Sequence, residues 1–473
     1  MLSKIYAKWM YAWETALTTR DTNRIVRPLE WGFDWLQDFS PLAAAQSSSP
    51  SHESGCPTAC PEQAEGSGSS DVGSSVSQIS QATQDDYARM IAVNADIVAR
   101  AEEFFGYRTP TDFRLEARHP QLFPTNVRPE TLQEDAEIKR QAETGELEEA
   151  EFLRFTSPVR TRYPENDTVN ARWFPAPDHK YQKSVISTPK SSNAVISTGA
   201  TDSFTVRSGV EKSASLPRIS PSPNGKPKQA PKQAMIVMPQ WNADAFSHNA
   251  LCTLFNRFGI SCLRLSKPYH DIRRPAELER SDYAVSANVG RTTEACRQAV
   301  VDIRSCIDWL QQQGYEQFGV LGTSLGSCYA FIAAAFDPRL QVCAFNHAST
   351  WFGDVVWTGQ STRHIRAAFE QAGLTQDQVR QIFSIVSPMS YMDRFAATPK
   401  RSLVVHATYD LTFPLEYSLD VLKNFDALNI DYVSKVLPCG HYTTGETPYK
   451  YLDGWYLGSF IYSSFKRLAK STA

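Results

Sequence analysis

The sequence predicts an α/β protein built on a mostly parallel sheet. Three observations carry this expectation. From residue 233 onward, short apolar runs rich in β-forming residues alternate with segments of helical spacing. Phe318 to Phe336 reads as strand, tight turn and buried helix, with Gly322-Thr-Ser-Leu-Gly326 at the apex. Residues able to carry acid–base chemistry follow two later strands, at the carboxyl edge where open parallel sheets place their sites.

The chain has 473 residues, 42% of them hydrophobic and 21% charged, which suits a large globular core. A net charge of −3 gives no reason to expect nucleic acid as a partner. Nine cysteines without a regular spacing read as reduced, buried thiols of a cytoplasmic protein. Cys56 and Cys60 have no second pair to complete a zinc site. No window approaches eighteen uninterrupted apolar residues, and residues 1–18 do not read as a secretory signal. No H-E-x-x-H and no G-x4-G-K-[S/T] occurs, so neither a metal nor another cofactor is expected.

Residues 1–40 form an expected helical arm. Leu2, Ile5, Tyr6, Trp9, Met10, Trp13 and Leu17 have helical spacing, and Trp31, Phe33, Trp35 and Leu36 follow Pro28. The arm suits packing on the main domain; a peripheral membrane or oligomer contact is the other reading. Residues 41–84 are Ser-, Gly- and Gln-rich and read as a disordered linker. Residues 85–150 read as helical. The main domain is expected over 151–473. It opens with a hairpin of strands 152–159 and 168–174 around Pro164-Glu-Asn-Asp167 and holds a flexible insertion at 177–231.

Strands are then expected at 234–238, 260–265, 318–321, 340–345, 402–407 and 432–437. Ser324 stands at the turn after the third of these. Asp410 follows 402–407, and His441 follows 432–437. A serine hydroxyl is a weak nucleophile near neutral pH. It needs an imidazole to take its proton and a carboxylate to fix that imidazole's tautomer. Ser324, His441 and Asp410 supply these roles, with Asp354 as a reserve acid. The negative oxygen of the intermediate needs two backbone donors. The expected ones are the N–H of Leu325 and that of Trp241, with Gln240 as the second choice in that loop.

The pieces Pro268-Tyr-His-Asp271, Gly322-Thr-Ser-Leu-Gly-Ser-Cys328, Tyr409-Asp-Leu-Thr-Phe-Pro414 and Pro438-Cys-Gly-His-Tyr442 resemble the α/β-hydrolase fold family, in its abhydrolase domain-containing branch. The resemblance covers the chain from about residue 150 onward. It implies a serine hydrolase with Ser324, Asp410 and His441 as triad. Where the family often carries His-Gly after the third strand, this chain has Pro239-Gln240. A helical cap over 347–400 fits the family and would set substrate choice. Trp351, Phe352, Val355, Val356 and Trp357 are candidates for an apolar acyl pocket. His347 and His270, past strand ends, are candidates to face substrate, with a structural histidine the simpler account of His347; Arg273 and Arg274 are candidates too, with a solvated loop the simpler account of both. The expected substrate is a small-molecule or lipid ester. Acyl transfer on the same triad, and a non-catalytic scaffold of the same fold, are the alternatives.

Overall fold

The computed structural model describes residues 2–20, 23–44, 79–123, 129–177 and 231–472. Most of the two stretches expected to be disordered, and Cys56 and Cys60 with them, lie outside the described residues. One nine-stranded sheet organises the chain. Its strands are β1 (Arg114–Arg118), β2 (Ala150–Thr156), β3 (Thr168–Phe174), β4 (Gln233–Met238), β5 (Ile260–Leu265), β6 (Gln317–Thr323), β7 (Leu340–Asn346), β8 (Arg401–Ala407) and β9 (Asp431–Leu437). Their order across the sheet is β1-β2-β3-β5-β4-β6-β7-β8-β9. The strands from β5 to β9 run parallel, whereas β1, β2 and β3 join antiparallel at one edge.

The parallel strands read as continuous apolar runs because both faces are covered. Along β4, Ala234, Ile236 and Met238 enter one core cluster, and Met235 and Val237 enter the other. The first core holds the helices Val289–Gln312 and Leu325–Phe336. The second holds Asn249–Arg257, the C-terminal helix Tyr449–Thr472 and Met10 of the N-terminal helix Leu2–Thr18. The seven described cysteines are buried and free.

Strand β1 was not expected. Its sequence, Arg-Leu-Glu-Ala-Arg, forms a short edge strand that leaves Leu115 and Ala117 exposed. It is held by its ladder with β2 and by Glu116, which pairs with Arg114 and Arg154. The segment between β7 and β8 holds the helices Phe352–Thr358, Arg363–Gln371, Gln376–Ile382 and Met392–Ala396. It leans on the helix Gln81–Ala99, where the Asn94 side-chain amide donates to the carbonyls of Gln381 and Ile382. Among the described residues, no helix is long and apolar enough to cross a membrane.

Candidate active site

Ser324 sits between β6 and the helix it caps, with φ 56° and ψ −118°. That backbone conformation is strained for a residue with a side chain, and such strain persists only where the surroundings impose it. The surroundings are tight. A Cβ at Gly326 would lie 2.2 Å from the carbonyl oxygen of Met238 and 2.6 Å from that of Pro239. Glycine there lets the first turn of the helix close against the end of β4. The Ser324 N–H donates to the Asn346 carbonyl at 2.7 Å, which ties the turn to β7.

The three residues singled out at strand ends meet. The Ser324 hydroxyl lies 3.0 Å from His441 Nε2, and His441 Nδ1 lies 3.0 Å from Asp410 Oδ2. Asp410 is 1% exposed at its side chain and fully engaged. Its Oδ1 accepts the backbone N–H groups of Thr412 and Phe413 at 2.7 and 2.6 Å. Its Oδ2 accepts from His441 and from a second imidazole, His347 Nδ1, at 2.9 Å. Burial works against the charged carboxylate, but the two imidazoles outweigh it and hold Asp410 well below the usual carboxylate range. Burial likewise opposes a charge on His441. The Asp410 charge and hydrogen bond, with a smaller contribution from Glu14, outweigh burial and raise its pKa above the ordinary value.

His347 was a candidate to face substrate, with a structural histidine as the simpler reading. Its ring donates to the acid, 4.5 Å from the ring of His441, and lies outside the cavity lining. Burial, and the neighbouring His441, push its pKa down, so it stays a neutral donor at Nδ1. His347, Asp410 and His441 can bring ligand atoms within 4.8 Å of one another. Asp410 Oδ2 already takes an N–H from both imidazoles, so a metal ion there would displace the contact that orients His441.

Beside the hydroxyl lies a cavity of about 50 Å³, measured as space open to the centre of a water molecule. Trp241, Ser324 and Leu325 border it, and Val285, Phe352, Val355, Val356 and Phe413 make its walls apolar. Trp241 and Leu325 therefore meet at one place, as two oxyanion donors would have to. Gln240 does not line the cavity; its carbonyl accepts from Lys267 Nζ at 2.8 Å. Trp351, which caps the helix Phe352–Thr358, and Trp357 within it are not among the residues lining the cavity.

His270 is a further correction. It is fully buried, its Nδ1 donates to the Pro268 carbonyl at 2.8 Å, and its Nε2 accepts the Asn242 N–H at 3.1 Å. It holds the Trp241 loop from behind and does not reach the cavity. Burial keeps its pKa well below the ordinary value, so it remains an acceptor. Arg273 is no solvated loop residue either. It is fully buried, pairs with Asp302 at 2.9 Å and donates to the carbonyls of Asn166 and Ser266. Asp354, the reserve acid, is taken by Arg380, whose Nε lies 2.9 and 3.0 Å from its two oxygens.

A family model described as alpha/beta hydrolase domain containing 18 matches residues 248–378, which include Ser324 and its turn. The fold is that of the α/β hydrolases. The match covers a little over a quarter of this chain, which resembles the abhydrolase domain-containing branch. Among solved structures, it is similar to acetyl xylan esterase 1 from Thermoanaerobacterium sp. JW/SL YS485. That likeness has 11% identity, 80% of this chain and 94% of that one covered, and a TM-score of 0.43. It is similar to the acetyl xylan esterase from Paenibacillus sp. R4 at 10% identity, with 73% and 88% covered and a TM-score of 0.43. It is similar to the acylaminoacyl peptidase from Pyrococcus horikoshii at 13% identity and a TM-score of 0.39. There 50% of this chain is matched, and it spans 38% of the length of the peptidase. No curated protein matches the chain.

Proposed function

We propose that the chain is a serine hydrolase that cleaves a carboxylic ester or a related acyl bond through an acyl-serine. What supports this reading is the continuous run of hydrogen bonds from the Ser324 hydroxyl through both nitrogens of His441 to a buried, ionised Asp410. In the first half-reaction Ser324 Oγ bonds to the acyl carbon while His441 Nε2 takes its proton. The oxygen of the tetrahedral intermediate is stabilised by the N–H groups of Leu325 and Trp241. The alcohol then leaves with the proton held on Nε2. In the second half-reaction His441 deprotonates water, which attacks the acyl carbon, and the proton returns to Ser324 as the acid departs.

The base must be neutral to act. His441 has a pKa above the ordinary 6.5, so kcat/KM falls as the pH drops through a value higher than 6.5. Asp410 stays ionised across that window and contributes no limb. Hydrolysis of p-nitrophenyl esters from about pH 5 to 9 tests this reading. Turnover with an acid limb in that position supports it, and the absence of turnover at every pH contradicts it.

The apolar walls and small volume of the cavity suit the acyl side of a hydrophobic ester. Val355→Phe narrows it. That variant is expected to lower kcat/KM for butyrate and longer acyl esters at least tenfold relative to acetate, in the range that pocket contacts contribute to discrimination. Equal loss across chain lengths would place the acyl group elsewhere.

A further inference from the structure

The N-terminal helix Leu2–Thr18 reaches the active site from outside the sheet. Its side facing the protein carries Met10, Glu14 and Thr18, all without solvent exposure, and Leu17. An acid at the centre of such a face is costly unless its oxygens are satisfied. Those of Glu14 are satisfied by the loop that carries His441. Oε1 accepts the N–H of Tyr442 at 2.7 Å, and Oε2 accepts the N–H of Thr443 at 3.0 Å and its hydroxyl at 3.1 Å.

Gly440 gives a second, independent sign. A Cβ there would fall 2.4 Å from Glu14 Oε2 and 2.5 Å from its carboxyl carbon. The carboxylate occupies the space that a side chain on the residue before His441 would fill. The helix also steadies the acid's loop. The rings of Tyr6 and Tyr11 pack edge-on against Tyr409, the neighbour of Asp410, at 5.7 and 5.4 Å. The Tyr6 hydroxyl bonds to the Pro438 carbonyl and, at 2.7 Å, to the Tyr449 hydroxyl.

We propose that the N-terminal helix is a working part of the site and that Glu14 is a positioning residue for His441. The inference rests on the hydrolase reading above for its effect on rate, but not for its effect on the imidazole. Glu14 acts in two ways. It fixes the backbone at Tyr442 and Thr443, and so the reach of His441 toward Ser324. It also places a second negative charge behind the imidazole, on the side away from the substrate.

The ionisable groups facing Glu14 are His441 and Cys439 of the β9 loop and Asp410 of the β8 loop. His441 in turn faces Asp410, His347 and Glu14. Burial raises the pKa of Glu14, and the two backbone donors and His441 oppose that rise. Removing a negative charge disfavours the protonated imidazole, so the pKa of His441 falls when Glu14 is neutralised.

The test uses the full chain and the variants Glu14→Gln and Glu14→Ala, with two readouts. The first is an NMR titration of His441, assigned with His441→Asn, which needs no turnover. The second is the rate of Ser324 labelling by a fluorophosphonate. Glu14→Gln is expected to lower the His441 pKa by about half a unit or more. It is also expected to slow labelling at least about tenfold, as small misplacements of a catalytic group do. A purely structural clamp would leave the His441 pKa unmoved. If Glu14→Ala fails to fold, Glu14→Gln, which keeps length and shape, decides the matter. A folded Glu14→Gln protein whose His441 titrates as in the wild type overturns the proposal. A wild-type protein that resists labelling while its His441 pKa still depends on Glu14 contradicts the hydrolase reading and leaves the positioning role standing.

Discussion

Ser324→Ala is expected to lower kcat for ester hydrolysis by about 10⁶-fold, the scale on which a triad fails when its nucleophile is removed. The loss should be this large because Ser324 carries the hydroxyl that bonds to His441 Nε2. Ser327, one turn along, donates its hydroxyl to the carbonyls of Ser324 and His347 at 2.6 and 2.7 Å and is turned away from His441. Cys328 borders the cavity, but its thiol donates to the Val386 carbonyl at 3.2 Å. Stability should hardly change. The substitution removes one hydrogen bond, worth about 1 kcal/mol, and leaves the turn and its glycines in place. Equal melting temperatures with activity lost in the variant would separate a chemical defect from a folding one.

Asp410→Asn is expected to cost about 10⁴-fold in kcat, because the amide enforces the wrong tautomer. The carboxylate takes four donors, two on each oxygen. An asparagine offers only one oxygen. If that oxygen keeps the N–H groups of Thr412 and Phe413, the amide nitrogen points at both His347 and His441. Each imidazole must then accept at Nδ1 and carry its proton at Nε2. His441 can no longer take the proton of Ser324. If the amide turns over, two backbone donors face its nitrogen instead. Either way, buried donors are left without acceptors, which costs roughly 1–3 kcal/mol of stability. The variant should therefore be both slow and less stable, unlike Ser324→Ala. Kinetics combined with thermal denaturation distinguishes the two cases, and an Asp410→Asn protein with near-normal kcat would remove Asp410 from the mechanism.

The sheet was legible because its strands are buried on both faces and its punctuation is local. Each expected strand from 234 to 437 lies within a few residues of the observed one, and Gly322 and Gly326 announced the turn at Ser324. The convergence of Ser324, Asp410 and His441 followed from topology, since parallel strands bring their carboxyl ends to one edge. What stayed hidden depends on partners far away in the chain. Glu14 carries no signal of its own in the sequence of the arm, and only the fold shows that it meets Tyr442 and Thr443. His270 and Arg273 looked like loop residues because their acceptors and donors lie at Asn242, Asn166 and Asp302. His347 was singled out by its place after a strand, but spacing could not say whether the ring would turn to the cavity or to Asp410. Strand β1 escaped notice because it is a five-residue edge strand whose two apolar residues face solvent and make no core signal.

One measurement bears most directly on the convergence of these three side chains. Intact-mass and peptide mapping after treatment with a fluorophosphonate locates the nucleophile. The expected result is one phosphonyl adduct, on the peptide that carries Ser324, absent from Ser324→Ala and slowed in Asp410→Asn. Equal labelling of the wild type and Ser324→Ala, or an adduct on another residue, would contradict the account.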